Sequence, residues 1–156
     1  MPGGVRAGQV IGLVEVAGSF GSRMDIAKMA DAMGADLAVM LPILDAAQML
    51  GLVRMEKVDL LLTDEGLRFK ATSKNKMTQL KAKLAGIEPF RTAMELASKS
   101  GGATSQDVAS SLSRRGVSWH YDPELNDTLV HALLISWALS SRLLSYDGKT
   151  GRFARI

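Results

Sequence analysis

Apolar residues recur at helical spacing from the start of the chain. In "GQVIGLVEVAGSF", Val10, Ile11, Leu13, Val14 and Ala17 follow a helical repeat that Gly18 and Gly21 stop. In "RMDIAKMADAMG", Ile26, Met29, Ala30 and Met33 fall on one face, with Gly34 at the C-terminal cap position. Asp36 is placed to cap a third helix, through a carboxylate that can accept from its first free amides. Pro42 is awkward inside that helix, because it lacks an amide proton and crowds the carbonyl of Ala38. Either Leu37 to Leu41 is a loose first turn or the helix kinks, and the pattern breaks at Gly51. "LVRMEKVDLLLT" then alternates as two short β-prone runs around the polar bend Glu56-Lys57, and Thr63-Asp64-Glu65-Gly66 reads as the stop. Two to three helices followed by a hairpin is the plan of a winged helix; the competing reading is an unrelated α+β arrangement.

Beyond Gly66 the pattern is helical. "EPFRTAMELASKSGG" is a helix with a glycine stop, and "ATSQDVASSLSRRG" carries a Thr104-to-Asp107 capping spacing. "DPELNDTLVHALLISWALSSRLLSYD" is the longest helical pattern, with Asp122 as cap and Pro123 at the first helical position. Leu129, Leu133, Trp137 and Leu144 line its core-facing stripe, and "DGKTGRFARI" closes the chain as a turn and a short strand. The sequence shows no internal repeat. The expected fold is mainly α: a winged helix-turn-helix half over 1–70 with a small β-hairpin wing, and a helical half over 71–156 packed on it in a single compact domain.

Composition narrows the function classes. At 156 residues and 47% apolar content the chain can bury a core, so wholesale disorder is excluded. The absence of cysteine removes disulfides, thiolate metal ligands and a cysteine nucleophile. No apolar run approaches the roughly 20 residues of a membrane span, and "MPGGVRAGQV" has no signal-peptide pattern. A cytoplasmic location is the expectation.

The ordered set "GQVIGLVE", "DIAKMADAMG", "LPILDAAQMLGLV", "LLLTDEGLRF", "IEPFR" and "ISWALSSRLLSYD" resembles the AAA-associated C-terminal domain family over nearly the whole chain. Such domains are found at the end of ATP-binding subunits of ABC transporters of the nitrate, sulfonate and bicarbonate type, and also occur apart from an ATPase. The resemblance implies a non-catalytic regulatory or protein-interaction domain, with an ABC transporter ATP-binding subunit or a second copy of the chain as partner. Where such domains follow the tryptophan with a glycine, a basic residue and a tyrosine, this chain has Ala138, Leu139 and Ser140.

Catalytic and metal chemistry finds no foothold. There is no G-x-x-x-x-G-K-[ST] phosphate loop. The two histidines, His120 and His131, are too far apart to share a helical face, and a zinc site needs about four convergent ligands. "HYDPE" is better explained by helix capping, and the adjacent Asp64 and Glu65 by a solvated turn. No serine lies in a nucleophile motif. The expectation is no enzyme, no cofactor, no metal and no catalytic residue.

The DNA question turns on "DLAVMLPILDAAQML", the helix that would enter a major groove. It carries Asp36, Asp45 and Gln48 but no arginine or lysine, so the bidentate contact to guanine is missing and phosphate would repel it. It is instead apolar on two sides, Leu37, Met40, Leu41 and Leu44 on one and Val39, Ile43 and Ala46 on the other. One side serves the core; the other meets the second half of the chain, a twin subunit or a partner protein. Val39 and Ile43, with Arg54 and Lys57 of the hairpin, are the candidate interface residues. The alternative function is a winged-helix transcription regulator contacting phosphate through Arg54, Lys57, Lys74, Lys76, Lys81 and Lys83. It draws on the net charge of +3 and on a stretch from Gly66 to Gly86 in which every charge is basic. Such runs are more often a solvated face, and no aromatic residue interleaves with them for base stacking.

Overall fold

The computed structural model describes residues 1–99 and 101–156. Over these described residues the chain is mainly helical with two small antiparallel sheets, and it divides into two compact units. An N-terminal unit holds residues 4–76 with Pro2, and a C-terminal unit holds residues 77–156 with Met1 and Gly3.

The N-terminal unit runs α1 (Ala7–Ser19), β1 (Arg23–Asp25), α2 (Ile26–Ala32), α3 (Leu37–Met49), β2 (Val53–Glu56), β3 (Asp59–Leu62) and α4 (Asp64–Ala71). α1 buries Val10, Leu13, Val14 and Ala17 at the expected spacing and passes through Gly18 without stopping. The short strand β1 precedes α2, and its last residue caps the helix: Asp25 Oδ1 accepts from the amides of Ala27 at 2.9 Å and Lys28 at 3.2 Å. In α3 the cap differs from expectation. Asp36 stands at the N-cap but makes no side-chain bond; its backbone carbonyl accepts from Val39 and Met40 instead. The helix continues through Pro42, and the turn it disturbs is exposed over residues 37–39, where water can serve the carbonyl of Ala38.

The hairpin forms as the alternation predicted. Val53 pairs with Leu62 and Met55 with Leu60, around a two-residue turn in which Lys57 adopts a φ of 54°. β1 adds to the other edge, giving the order β1-β3-β2. The Thr63-Asp64-Glu65-Gly66 stretch follows the end of β3 at Leu62, the expected stop, and also starts a helix. Thr63 Oγ1 accepts from Gly66 N at 3.0 Å and donates to the Gly51 carbonyl, while Asp64 and Glu65 occupy the first turn of α4, the end of the helix dipole that favours negative charge. Gly66 is required there, since a Cβ would sit 2.0 Å from the Leu52 carbonyl oxygen.

The C-terminal unit holds more strand than the expected helical half with one closing strand; that closing strand is Arg152–Arg155. After a 3-10 turn at Lys76–Leu80 come α5 (Lys81–Leu84), α6 (Phe90–Ala97), β4 (Ala103–Thr104), α7 (Ser105–Arg114), α8 (Pro123–Leu133), β5 (Leu144–Asp147) and β6 (Arg152–Arg155). The long helical pattern beginning at Asp122 ends early. α8 widens into a π-helical segment over Leu134–Leu139, the chain turns at Arg142 with a φ of 58°, and the rest is strand β5. Of the expected stripe, Leu133, Trp137 and Leu144 are buried, Leu144 from the strand and Leu129 only in part. The capping predictions hold in this unit. Thr104 and Asp107 exchange both bonds of a capping box, at 3.0 and 3.1 Å, and Asp122 accepts from Glu124 N at 2.9 Å ahead of Pro123.

The two units repeat one design. Each threads helix, strand, helix, helix, strand, strand, and each places its last strand at the centre of the sheet, β1-β3-β2 in one and β4-β6-β5 in the other. Leu60 and Phe153, both fully buried, hold equivalent central positions. Leu60 is flanked by Met24 and Met55, and Phe153 by Ala103 and Tyr146. The residue after each of these first-strand positions, Asp25 or Thr104, caps the following helix. The repeat lies in topology and register and not in residue identity, which is why the sequence did not display it.

Candidate interaction surface

The helix pair α2–α3 and the hairpin β2–β3 position the N-terminal unit's most unusual surface. Along α3, Met40, Ile43, Leu44, Ala46 and Ala47 turn inward, while Leu37 (46% exposed), Val39 (51%), Leu41 (46%) and Met49 (44%) face out. The inward and outward sets therefore differ from those read from spacing. Leu37 and Leu41 stand outside with Val39, and Ile43, named as an interface residue, is buried at 4%. Leu37, Val39 and Leu41 are exposed around the first turns of α3 and Met49 at its other end, with the exposed Asp45 and Gln48 between, so the helix start leaves apolar area in water.

Arg54 and Lys57 are both exposed on the hairpin. Its charges are balanced: the Arg23 guanidinium of β1 reaches Glu56 at 2.9 Å and Asp59 at 3.0 Å, and these hydrogen bonds, Asp59 first, raise it above its ordinary pKa. Lys74 is exposed, whereas Lys76 is engaged. Its Nζ lies 3.3 Å from Glu15, donates to the Lys70 carbonyl and stands 5.2 Å from the centre of the Phe69 ring. Lys81 and Lys83 are exposed on α5, in the other unit. The six basic residues of the phosphate-contact reading are thus divided between units. The repeat offers a second test of that reading, because α8 occupies the place of α3. It too lacks arginine and lysine, and Asp122, Glu124 and Asp127 stand along its first turns.

His120 belongs to the loop that ends in the α8 cap. Its Nδ1 accepts from Asp122 N at 3.0 Å and its ring stacks on Tyr121. Asn126, buried beneath this loop, accepts from the amides of Trp119 at 2.7 Å and His120 at 3.3 Å. The capping account of "HYDPE" fits this geometry. His131 is elsewhere, bonded through Nδ1 to the hydroxyl of the buried Ser105. That pair was not singled out in the sequence. The two residues lie 26 positions apart and only the repeat's helix packing joins them. Among the described residues no group of three or more histidines and carboxylates is disposed to hold a metal ion, and no helix is long and apolar enough to cross a membrane.

No curated protein and no solved structure matches the chain. A family model does match, from Ala27 in α2 to Asp147 at the end of β5, and so draws on both units. Its description points to association with an AAA-type ATPase in an accessory role. With most of its length matched, over residues 27–147, the chain belongs to the C-terminal AAA-associated domain family.

Proposed function

We propose that this chain is a non-catalytic docking module of two winged helices that binds the ATP-binding subunit of an ABC transporter on the cytoplasmic side of the membrane. The observation that carries the reading is the exposed N-terminal end of α3, apolar around its first turns. In a DNA-reading winged helix this end would present bidentate hydrogen-bonding side chains to base edges. Here it presents Leu37, Val39 and Leu41. Burying a side chain of this size is worth about 1.5–3 kcal/mol, so these three can anchor a protein contact. Arg54 and Lys57 on the neighbouring hairpin supply its polar rim. Ile43 supports the face from within rather than touching the partner. A twin copy of the chain is the other occupant this surface suits.

The test is sedimentation of the protein alone and with a nitrate/sulfonate/bicarbonate-type ATP-binding subunit. A complex with that subunit is expected. Val39→Asp and Leu41→Asp, both at exposed positions, are expected to weaken it at least about tenfold, the equivalent of about 1.4 kcal/mol, while leaving the far-UV circular dichroism unchanged. Failure of the wild type to bind the subunit, or binding that both substitutions leave intact, rejects the α3 docking reading. Salt-sensitive binding to a random DNA duplex would replace it with a phosphate-contacting one.

A further inference from the structure

The C-terminal unit contains an open cavity of about 440 Å³, within the roughly 300–1,000 Å³ range of small-molecule sites. Three elements converge on it. Thr104, Ser105 and Gln106 come from the start of α7, and Asp127, Thr128 and His131 from one face of α8. Tyr146 of β5 and the turn residues Thr150 and Gly151 close the third side.

The internal repeat provides a control for what the fold itself requires at this corner. The first residue of the capped helix is Ser105 here and Ile26 in the N-terminal unit. The strand residue paired with the buried central position is Tyr146 here and Met55 there. On α8 and α3, counted from the first helical residue, His131 answers to Asp45, and Asp127 to Leu41. The same topology is thus built once without a serine–histidine bond and without a carboxylate at the fifth helical position. The polar set of the C-terminal unit is not a demand of the fold.

Its chemistry is selective. Ser105 Oγ and His131 Nδ1 lie 2.5 Å apart, which fixes the imidazole and leaves Nε2 for another partner. The Tyr146 ring is held by an edge contact to His131, centroids 5.6 Å apart, and a tilted contact to Phe153 at 4.7 Å. Among the described residues Asp127 is the one carboxylate in the lining, and no lysine or arginine lines the cavity. Asp127 makes no ion pair or side-chain hydrogen bond among the described residues. The amide dipoles at the start of α7, which would draw an anion, are already answered by the Thr104–Asp107 capping box. What remains is an unpaired carboxylate, an ordered aromatic ring and the hydroxyls of Thr150 and Tyr146, since Thr104, Ser105 and Thr128 already bond Asp107, His131 and Glu124. That combination holds an ammonium group by charge, by the face of the aromatic ring and by hydrogen bonding.

We infer that this cavity is a binding site for a small organic ammonium ligand, with Asp127 as counter-ion and Tyr146 as aromatic wall. The α3 docking surface lies in the other unit and does not enter the argument. The test is NMR of the full chain, following the His131 and Tyr146 ring resonances during titration with ethanolamine, choline and putrescine up to about 10 mM, above the roughly millimolar Kd of a weak site. Glucose and acetate serve as neutral and anionic counterparts. The expected result is saturable shifts of both rings with at least one amine and none with glucose or acetate. In Asp127→Asn, which keeps size and has no native partner to lose, the affinity should fall about tenfold or more. Absence of saturable shifts with all three amines overturns the site. Equal affinity in Asp127→Asn, or an equal response to glucose or acetate, overturns the ammonium assignment.

Discussion

Replacing Gly66 with alanine sets two effects of opposite sign against each other. Gly66 is the third residue of α4, and in an open helical site alanine would stabilise by about 1 kcal/mol. At this site the new methyl group meets backbone: its carbon would lie 2.0 Å from the Leu52 carbonyl oxygen and 3.0 Å from the Leu52 carbonyl carbon. The gap has to open by roughly 1.4 Å to reach an ordinary van der Waals contact near 3.4 Å. Neither partner yields easily. The Leu52 carbonyl accepts from Thr63 N at 3.1 Å at the mouth of the hairpin, and α4 is anchored by the Thr63 cap. Overpacking of this kind costs about 1–3 kcal/mol, and stretching the Thr63–Leu52 bond about 1 more. The clash wins, with a net loss of about 2 kcal/mol and a fall in Tm of about 4–8 °C for a chain of this size. Thermal denaturation followed by far-UV circular dichroism reads this directly. Gly8→Ala is the paired control: Gly8 is exposed on α1 with nothing within 4 Å of an added Cβ, so that change should stabilise by about 0.5–1 kcal/mol. A Gly66→Ala protein as stable as the wild type, beside a stabilised Gly8→Ala, would refute the steric account of the Thr63–x–x–Gly66 turn.

Three further outcomes are expected. Asn126→Ala leaves the amides of Trp119 and His120 without their acceptor and should cost about 1–3 kcal/mol in urea denaturation; a neutral result would mean that water reaches that loop. Thr104→Ala should lose about 1 kcal/mol of the α7 cap, and Thr104→Ser should recover most of it. Burial pushes the Met1 ammonium below its ordinary value of 8.0, against the pull of nearby Glu88. The unfolded chain therefore takes up the proton first as pH falls. Stability should be full above 8.0 and decline below it until the folded value is passed, a slope that Nα-acetylation should remove from Tm measured across this window.

What the sequence disclosed was whatever is decided locally. The β2–β3 hairpin follows from alternation around a polar bend, and the caps at Thr104 and Asp122 from short-range donor and acceptor chemistry. What it hid was decided by partners far along the chain. β1 and β4 have three and two residues, too few for any periodicity, and exist because β3 and β6 pair with them. The π-helical widening over Leu134–Leu139 and the turn at Arg142 convert an apparently continuous helix into helix and strand. Spacing alone also misassigned the faces of α3, because a helix apolar all round carries no internal mark of which side is packed. Spacing therefore names Val39 and Ile43 together, and the structure exposes the first and buries the second.

Both tryptophans, Trp119 and Trp137, lie in the C-terminal unit. Trp137 is fully buried, and the Trp119 indole donates to the Met1 carbonyl at 2.6 Å. Intrinsic tryptophan emission is therefore a native reporter of that unit alone, whereas far-UV dichroism sums both. A melt in which emission and dichroism separate would assign the earlier transition to one unit without any label. Phe20→Trp, at a position 57% exposed in the N-terminal unit, would supply the missing second reporter.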